Sequence, residues 1–162
     1  MALTKQKKVS LISEFETIVK DAASIAFVHM QQLPVSAIDT LRSSLRSQDG
    51  GYRVVKKTLF SRALESAGIS GTMPTLDGEV AIAYSKDLIV PAREVFAFRK
   101  GREAQVTLLG GVFDGTFMNQ SEMTAIAMIP PTPVLRGMFV NIINSPIQRF
   151  AIALGAIAAK KA

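Results

Sequence analysis

The sequence contains no cysteine. Disulfides and thiolate zinc sites are therefore excluded, and the lack fits a reducing compartment. Histidine occurs once, at His29, so a His-based dyad or a His metal cluster cannot be assembled within the chain. His29 falls in a predicted strand and reads as a core or strand-edge residue rather than a catalyst. There is no glycine-rich loop ending in Lys-Ser/Thr. Gly110-Gly111-Val112-Phe113-Asp114-Gly115 is glycine-rich, but it lacks dinucleotide spacing and a following long helix, and two turns explain it better. Asp77, Asp87 and Asp114 lie near turns or caps, where aspartate is favoured anyway. Nothing points to a carboxylate pair. The expectation is a non-enzyme with no metal and no cofactor.

Acidic residues are also lacking at one end: the last is Glu122. Beyond it the chain is apolar and purely basic, with Arg136, Arg149, Lys160 and Lys161. Lys5, Lys7 and Lys8 near the start are followed by no long apolar run, so no secretory signal is read there. The most apolar stretch, Val134 to Ala159, is interrupted by Arg136, Asn141, Asn144, Pro146, Gln148 and Arg149. A spanning helix needs about 20 nearly unbroken apolar residues, so no membrane span is expected.

What is present suits one domain plus an appendage. The chain has 162 residues, of which 48% are hydrophobic, enough for a core. The formal charge is +6 and the pI about 9.8, a balance that favours polyanionic partners. Val9, Ile12, Phe15 and Val19 mark one face of a first helix, with Thr4 as its cap. Ile25 to Met30 reads as a buried strand. Pro34 opens a second helix with Val35, Ile38, Leu41 and Leu45 on one face, and Asp49-Gly50-Gly51 stops it. Tyr52 to Val55 is a strand, and Thr58 caps a third helix that ends near Gly68. Residues 68–78 read as a loop and Val80 to Tyr84 as a strand. Pro91 lies in the first turn of a fourth helix ended by Gly101. Val106 to Leu109 and Val112-Phe113 flank Gly110-Gly111, with a turn at Asp114-Gly115. Asn119 and Glu122 form a capping box for a short fifth helix.

This alternation predicts a layered α/β or α+β domain. Pro130, Pro131 and Pro133 then break the chain. The expected division is a globular domain over 1–129, a Pro-rich hinge over 130–133 and a helix over 134–162 that bends at Pro146.

Two features go beyond fold. In the segment from Gly50 to Arg62, the residues Arg53, Lys56, Lys57 and Arg62 cluster around a strand end and a helix start. Helix starts present free N–H groups and a positive dipole end, so lysines there suit phosphate, the dominant contact in nucleic-acid binding. A solvated basic face is the equally open alternative. Lys5, Lys7 and Lys8 could extend the patch. The second feature is a stripe of Phe139, Ile142, Ile143, Pro146, Ile147, Phe150, Ala153, Leu154 and Ile157. Phe139-Val140-Asn141-Ile142-Ile143-Asn144 recurs as Phe150-Ala151-Ile152-Ala153-Leu154-Gly155, eleven residues on, which is about three helical turns. Such a stripe is either docked on its own domain or covered by partners.

The order of these segments resembles the ribosomal L-ten family, the stalk-base proteins of the large ribosomal subunit. The residues that carry the resemblance are Arg53-Val54-Val55-Lys56-Lys57-Thr58-Leu59 with Arg62-Ala63-Leu64, Gly78-Glu79-Val80-Ala81-Ile82-Ala83-Tyr84-Ser85, and Leu109 to Gly115. The Pro-rich break and apolar helix complete the pattern, which spans essentially the whole chain. The resemblance implies a two-layer, plait-like α+β domain followed by a long protruding C-terminal helix. It implies a non-enzymatic protein seated on large-subunit rRNA beside the L-eleven protein, on the cytoplasmic ribosome. Arg53, Lys56, Lys57, Thr58 and Arg62, with Lys5, Lys7 and Lys8, become rRNA contacts. Phe139, Ile142, Ile143, Ile147, Phe150, Ala153, Leu154 and Ile157 become a spine for L-seven/L-twelve stalk-protein dimers, which recruit translational GTPases. The spine is shorter than in members with three binding segments, and its two repeat copies predict two dimers. A related RNA-binding factor working off the ribosome is the runner-up. A peripheral membrane protein using the tail as an interfacial helix is a third class, disfavoured by only four basic residues there and by the lack of an aromatic belt.

Overall fold

A computed structural model describes residues 4–76, 78–102 and 105–161, with the side chains of Lys5 and Lys161 outside the described set. Asp77 likewise lies outside it. The chain divides into two units, Met1–Ile129 and Pro130–Ala162.

Strand alternation sends successive side chains to opposite faces of a sheet, and the first unit buries both. In β1 (Ser24–Met30), Ile25 and Phe27 join one apolar cluster, while Ala26, Val28 and Met30 join another. β3 (Val80–Ser85) splits the same way, with Val80 and Ile82 on the first side and Ala81 and Ala83 about the second. β2 (Gly50–Val54), β4 (Val106–Phe113) and β5 (Thr116–Asn119) complete a five-stranded sheet of order β2-β3-β1-β4-β5. Every pairing is antiparallel.

Helices cover both faces. On the Phe27 side lie α1 (Lys5–Asp21) and α3 (Lys57–Ser66), contributing Phe15, Leu59, Phe60, Ala63 and Leu64. Phe60 meets Phe15 and Phe27 edge-on, with ring centroids 5.8 and 5.6 Å apart, the geometry that aromatic quadrupoles favour. On the other side lie α2 (Val35–Arg46), α4 (Val90–Arg99) and α5 (Gln120–Ala127), contributing Leu41, Leu45, Ala92, Val95, Met123 and Ala127. The fold is α+β with a long terminal helix, as expected. Its layering differs: the sheet lies between two helical layers rather than under one. The continuous apolar runs of β1 and β3 are the physical reason, because a strand that is apolar on both faces needs cover on both.

Several local expectations need correction. Val9 and Val35 are exposed, at 61% and 72%. Each sits in the opening turns of its helix, and burial starts later, at Leu11 in α1 and Ala37 in α2. Thr58 is not the cap of α3. Lys56 holds that position without a side-chain cap bond, and Thr58 lies inside the helix. Gly110 and Gly111 do not separate two strands but lie within β4. Phe27 pairs with Gly110 and Val28 with Leu108, so Leu109 is an extra residue that bulges the strand. Gly110 has φ of +147°, and a Cβ there would lie 2.6 Å from the Met118 carbonyl oxygen. A Cβ at Gly111 would lie 2.4 Å from that of Ile25. Both glycines therefore serve close backbone approach. Asn119 and Glu122 do form the capping box, the Asn119 N–H donating to Glu122 Oε2 at 2.8 Å.

The second unit is one helix, α6 (Thr132–Lys161), with Pro133 in its first turn and Pro146 inside it. Its 30 residues span about 45 Å at about 1.5 Å per residue.

Candidate nucleic-acid and protein interfaces

β2 ends at Val54, and the buried Val55 pins the exit by donating its N–H to the Val80 carbonyl at 3.0 Å. Lys56 then caps α3. Burial of Leu59, Phe60, Ala63 and Leu64 turns one face of that helix inward. Lys56, Lys57, Thr58 and Arg62 are consequently all exposed. The N–H groups of Leu59 and Phe60 both turn to the Lys56 carbonyl. The amides of Lys57 and Thr58 precede any intrahelical acceptor and so face outward at the positive end of the dipole. Thr58 and Arg62 lie one turn apart on one face, whereas Lys57 and Arg62 point about 140° apart. Among the described residues, Lys56, Lys57 and Arg62 enter no ion pair. Lys56 and Lys57 form a basic helix start of the kind that suits phosphate, and Arg62 lies farther along the helix.

Arg53 is placed differently. It lies on the edge strand β2, and its Nη2 donates to Glu14 Oε2 on α1. Its guanidinium also lies 5.5 Å from the centroid of the Phe15 ring. Arg53 thus ties β2 to α1, and a phosphate would have to compete with Glu14 for it. Sequence reasoning missed Glu14, because nothing in the linear pattern pairs a residue of the first helix with one of the second strand. Lys7 and Lys8 are exposed on α1, which packs against α3; the Lys5 side chain lies outside the described set.

His29 has an ordinary structural role. Its Nδ1 lies 2.9 Å from the Glu79 carbonyl oxygen, the separation of an N–H donating to that oxygen. Gly78 makes room for the ring: at φ +68°, a Cβ there would lie 2.2 Å from His29 Cε1. No group of three or more metal-ligating side chains occurs among the described residues.

In α6, Phe139, Ile142, Ile143, Ile147, Phe150, Leu154 and Ile157 are each more than half exposed, and Ala153 is exposed too. At about 100° per residue these eight side chains fall within a sector of about 140°. Asn141, Asn144, Ser145 and Gln148 occupy the opposite side. Val140 and Ile152, also exposed, lie outside the sector, so the apolar surface is broader than the stripe alone. By length and composition, Thr132–Lys160 is long and apolar enough to cross a membrane, its most apolar 18-residue window reaching a mean hydropathy of 1.3.

An α+β unit with a basic helix start is joined in sequence to an exposed apolar helix, which gives the chain two chemically different surfaces. Residues 3–100 match the sequence profile described as Ribosomal protein L10. A protein of Shouchella clausii named large ribosomal subunit protein uL10 is 33% identical over 162 residues, covering 99% of this chain and 97% of its own length. Proteins of that name from Rickettsia bellii and Lactobacillus johnsonii are 31% and 32% identical, covering 89% and 96% of this chain and 85% and 95% of their own lengths. The chain belongs to the ribosomal protein L10 family, whose members are ribosomal structural proteins and not enzymes.

Proposed function

We propose that this chain is a structural constituent of the large ribosomal subunit at the base of its stalk, in the cytoplasm. The globular domain, 1–129, grips large-subunit rRNA beside the L-eleven protein. Lys56, Lys57, Thr58 and Arg62 meet phosphates, Arg53 joins them only on leaving Glu14, and Lys7, Lys8 and Lys5 lend weaker support. The Pro-rich segment 130–133, whose last two residues already begin α6, acts as the hinge, and the helix beyond it is the spine. Phe139, Ile142 and Ile143 centre one seat for an L-seven/L-twelve dimer. Phe150, Ala153 and Leu154 centre a second, and Ile147 and Ile157 extend the surface. The dimers in turn recruit translational GTPases.

The observation that carries this reading is the exposed apolar surface of α6 in a member of the ribosomal protein L10 family. Water-exposed residues of this size, placed side by side, favour burial against a partner. Mixing the full chain with a large-subunit rRNA fragment and the stalk protein tests it. A ternary complex that sediments as one species is expected. Rebinding of the complex to large subunits depleted of this protein separates a ribosomal constituent from a factor working off the ribosome. Flotation of the chain with liposomes in place of complex formation would point to a membrane instead.

A further inference from the structure

The sheet has two outer strands, β5 and β2, and the chain treats them differently. Along β5, Ser70 closes the edge: it donates its N–H to the Gly115 carbonyl at 3.1 Å and accepts from the Phe117 N–H at 2.9 Å. Along β2 the edge is open among the described residues. Val55 donates to the Val80 carbonyl, and antiparallel bonds recur at every second residue. Gly51, Arg53 and Val55 therefore turn their backbone groups to β3. On the other side of β3, Met30 donates to the Glu79 carbonyl, which commits the alternate residues of β3 to β1 and agrees with this phase. Tyr52 and Val54 thus point N–H and C=O outward, about 7 Å apart, and no described backbone group meets them. Uncovered edges of this kind are templates for another strand.

A groove of about 260 Å³ lies against this edge, with Met30, Leu33, Ile38, Tyr52 and Val54 among its walls. Tyr52 packs on the core beneath α2, and Val54, two residues on, projects to the same face. Four large apolar side chains stand exposed among the described residues of the first unit: Val9, Val35, Val54 and Met128. Two of the four belong here. Val54 lines the groove, and Val35 lies one turn before Ile38 on α2, on the same side of that helix. Glu79 also lines the groove, so the group that enters it is apolar rather than acidic. Past Val54 the sign reverses. The chain runs into Lys56 and Lys57, exposed and outside every described ion pair.

We infer that the open edge of β2 takes up an extended, antiparallel segment of a partner protein, with apolar side chains beside Val54 and Tyr52 and acidic ones beside Lys56 and Lys57. The outward N–H and C=O groups of Tyr52 and Val54 pair with its backbone, as in other strand additions. Alternation then sends the two side chains opposite them to the groove face and the one between to the face of Arg53. In an antiparallel strand the acidic residues precede the apolar ones, because the segment runs from Lys57 back towards Tyr52. Charge complementarity at the lysines fixes this direction. The inference does not rest on the rRNA or stalk assignments.

Amide hydrogen exchange of the full chain, with fluorescence anisotropy of a labelled Glu-Glu-Thr-Val-Thr-Val peptide, tests it. The same peptide N-methylated at both valines and a Lys-Lys-Thr-Val-Thr-Val peptide are the controls. In the free chain the Tyr52 and Val54 amides should exchange fast while those of Arg53 and Val55 are protected. Saturating acidic peptide should protect Tyr52 and Val54 as well. The N-methylated peptide should not bind, and the lysine peptide should bind more weakly. Val54→Asp should weaken the acidic peptide about tenfold, the loss expected for one buried apolar side chain. The unsubstituted chain with the N-methylated peptide keeps the test decisive should that variant misfold. Equal binding of either control, no binding of any peptide, or unchanged exchange at Tyr52 and Val54 would overturn the inference. So would protection of those two amides by an rRNA fragment and by no peptide, which would assign the edge to RNA.

Discussion

Replacing Lys56 and Lys57 together with alanine isolates the electrostatic part of the proposed rRNA contact. Both side chains are exposed and enter no described ion pair, and neither contributes to the buried face of α3. The fold should therefore be untouched, with a melting curve like that of the wild type. Each phosphate neutralised releases counterions, and the affinity falls with salt at a logarithmic slope of about 0.7–0.9 per contact. Removing two contacts should flatten that slope by about 1.4–1.8 and weaken binding roughly 25- to 60-fold near 0.1 M salt. Arg53→Ala should behave in the opposite manner. Its guanidinium is held by Glu14 and Phe15, so the salt slope should change by well under one. Stability should fall by about 0.7–2 kcal/mol, the sum of an exposed ion pair and a cation–π contact. The assay is a salt series of binding to a large-subunit rRNA fragment, with urea melts of each variant. An unchanged slope in the double-lysine variant would show that the helix start is only a solvated face. A full unit of slope lost with Arg53→Ala would show that Glu14 does not restrain it.

Three further outcomes follow from the packing. Phe60→Ala removes the ring that Phe15 and Phe27 both meet edge-on and should cost about 3–5 kcal/mol in urea unfolding; a loss under about 1 kcal/mol would mean this cluster is not a core. Gly78→Ala forces a Cβ at positive φ against the His29 ring and should cost about 1–3 kcal/mol. It should also shift the His29 ring resonances, and His29→Ala should relieve part of the cost. Truncation after Pro133 should leave a cooperative melting transition and full rRNA binding, because the described residues of both apolar clusters lie within the first unit. Loss of that transition would place the tail within the core.

Much of the architecture was legible because it rests on local signals. Pro34, Pro91 and Gly101 mark helix ends through φ constraints that any context obeys. The Asn119–Glu122 capping box is a contact across three residues and needs nothing from the rest of the chain. What could not be read depends on partners distant in sequence. The second helical layer follows from which strands pair, and strand order joins β2 to β3 and β1 to β4 across long intervals. Gly110-Gly111 read as a break because glycine marks turns, yet here it allows the carbonyls of Met118 and Ile25 to approach. β5 is only four residues long and shows no clean alternation. For the candidate sites, the basic helix start was visible as a charge cluster, and the restraint on Arg53 was not, since Glu14 lies 39 residues away. The polar residues within Val134 to Ala159 suggested too short an apolar run, but on a helix Asn141, Asn144 and Gln148 gather on one side, and the apolar stripe from Phe139 to Ile157 runs along the other.

The central claim is that α6 is a two-seat spine, and counting stalk dimers by native mass spectrometry tests it most directly. The two repeat copies recur eleven residues, roughly 16 Å, apart at about 1.5 Å per residue, room for one compact helical dimer at each. Each large apolar side chain buried there adds about 1.5–3 kcal/mol, so a single Phe→Asp change should empty one seat. The full chain mixed with excess stalk protein should carry two dimers, while Phe139→Asp and Phe150→Asp should each carry one. One or three dimers on the unsubstituted chain, or loss of every dimer from either variant, would contradict the two-seat account.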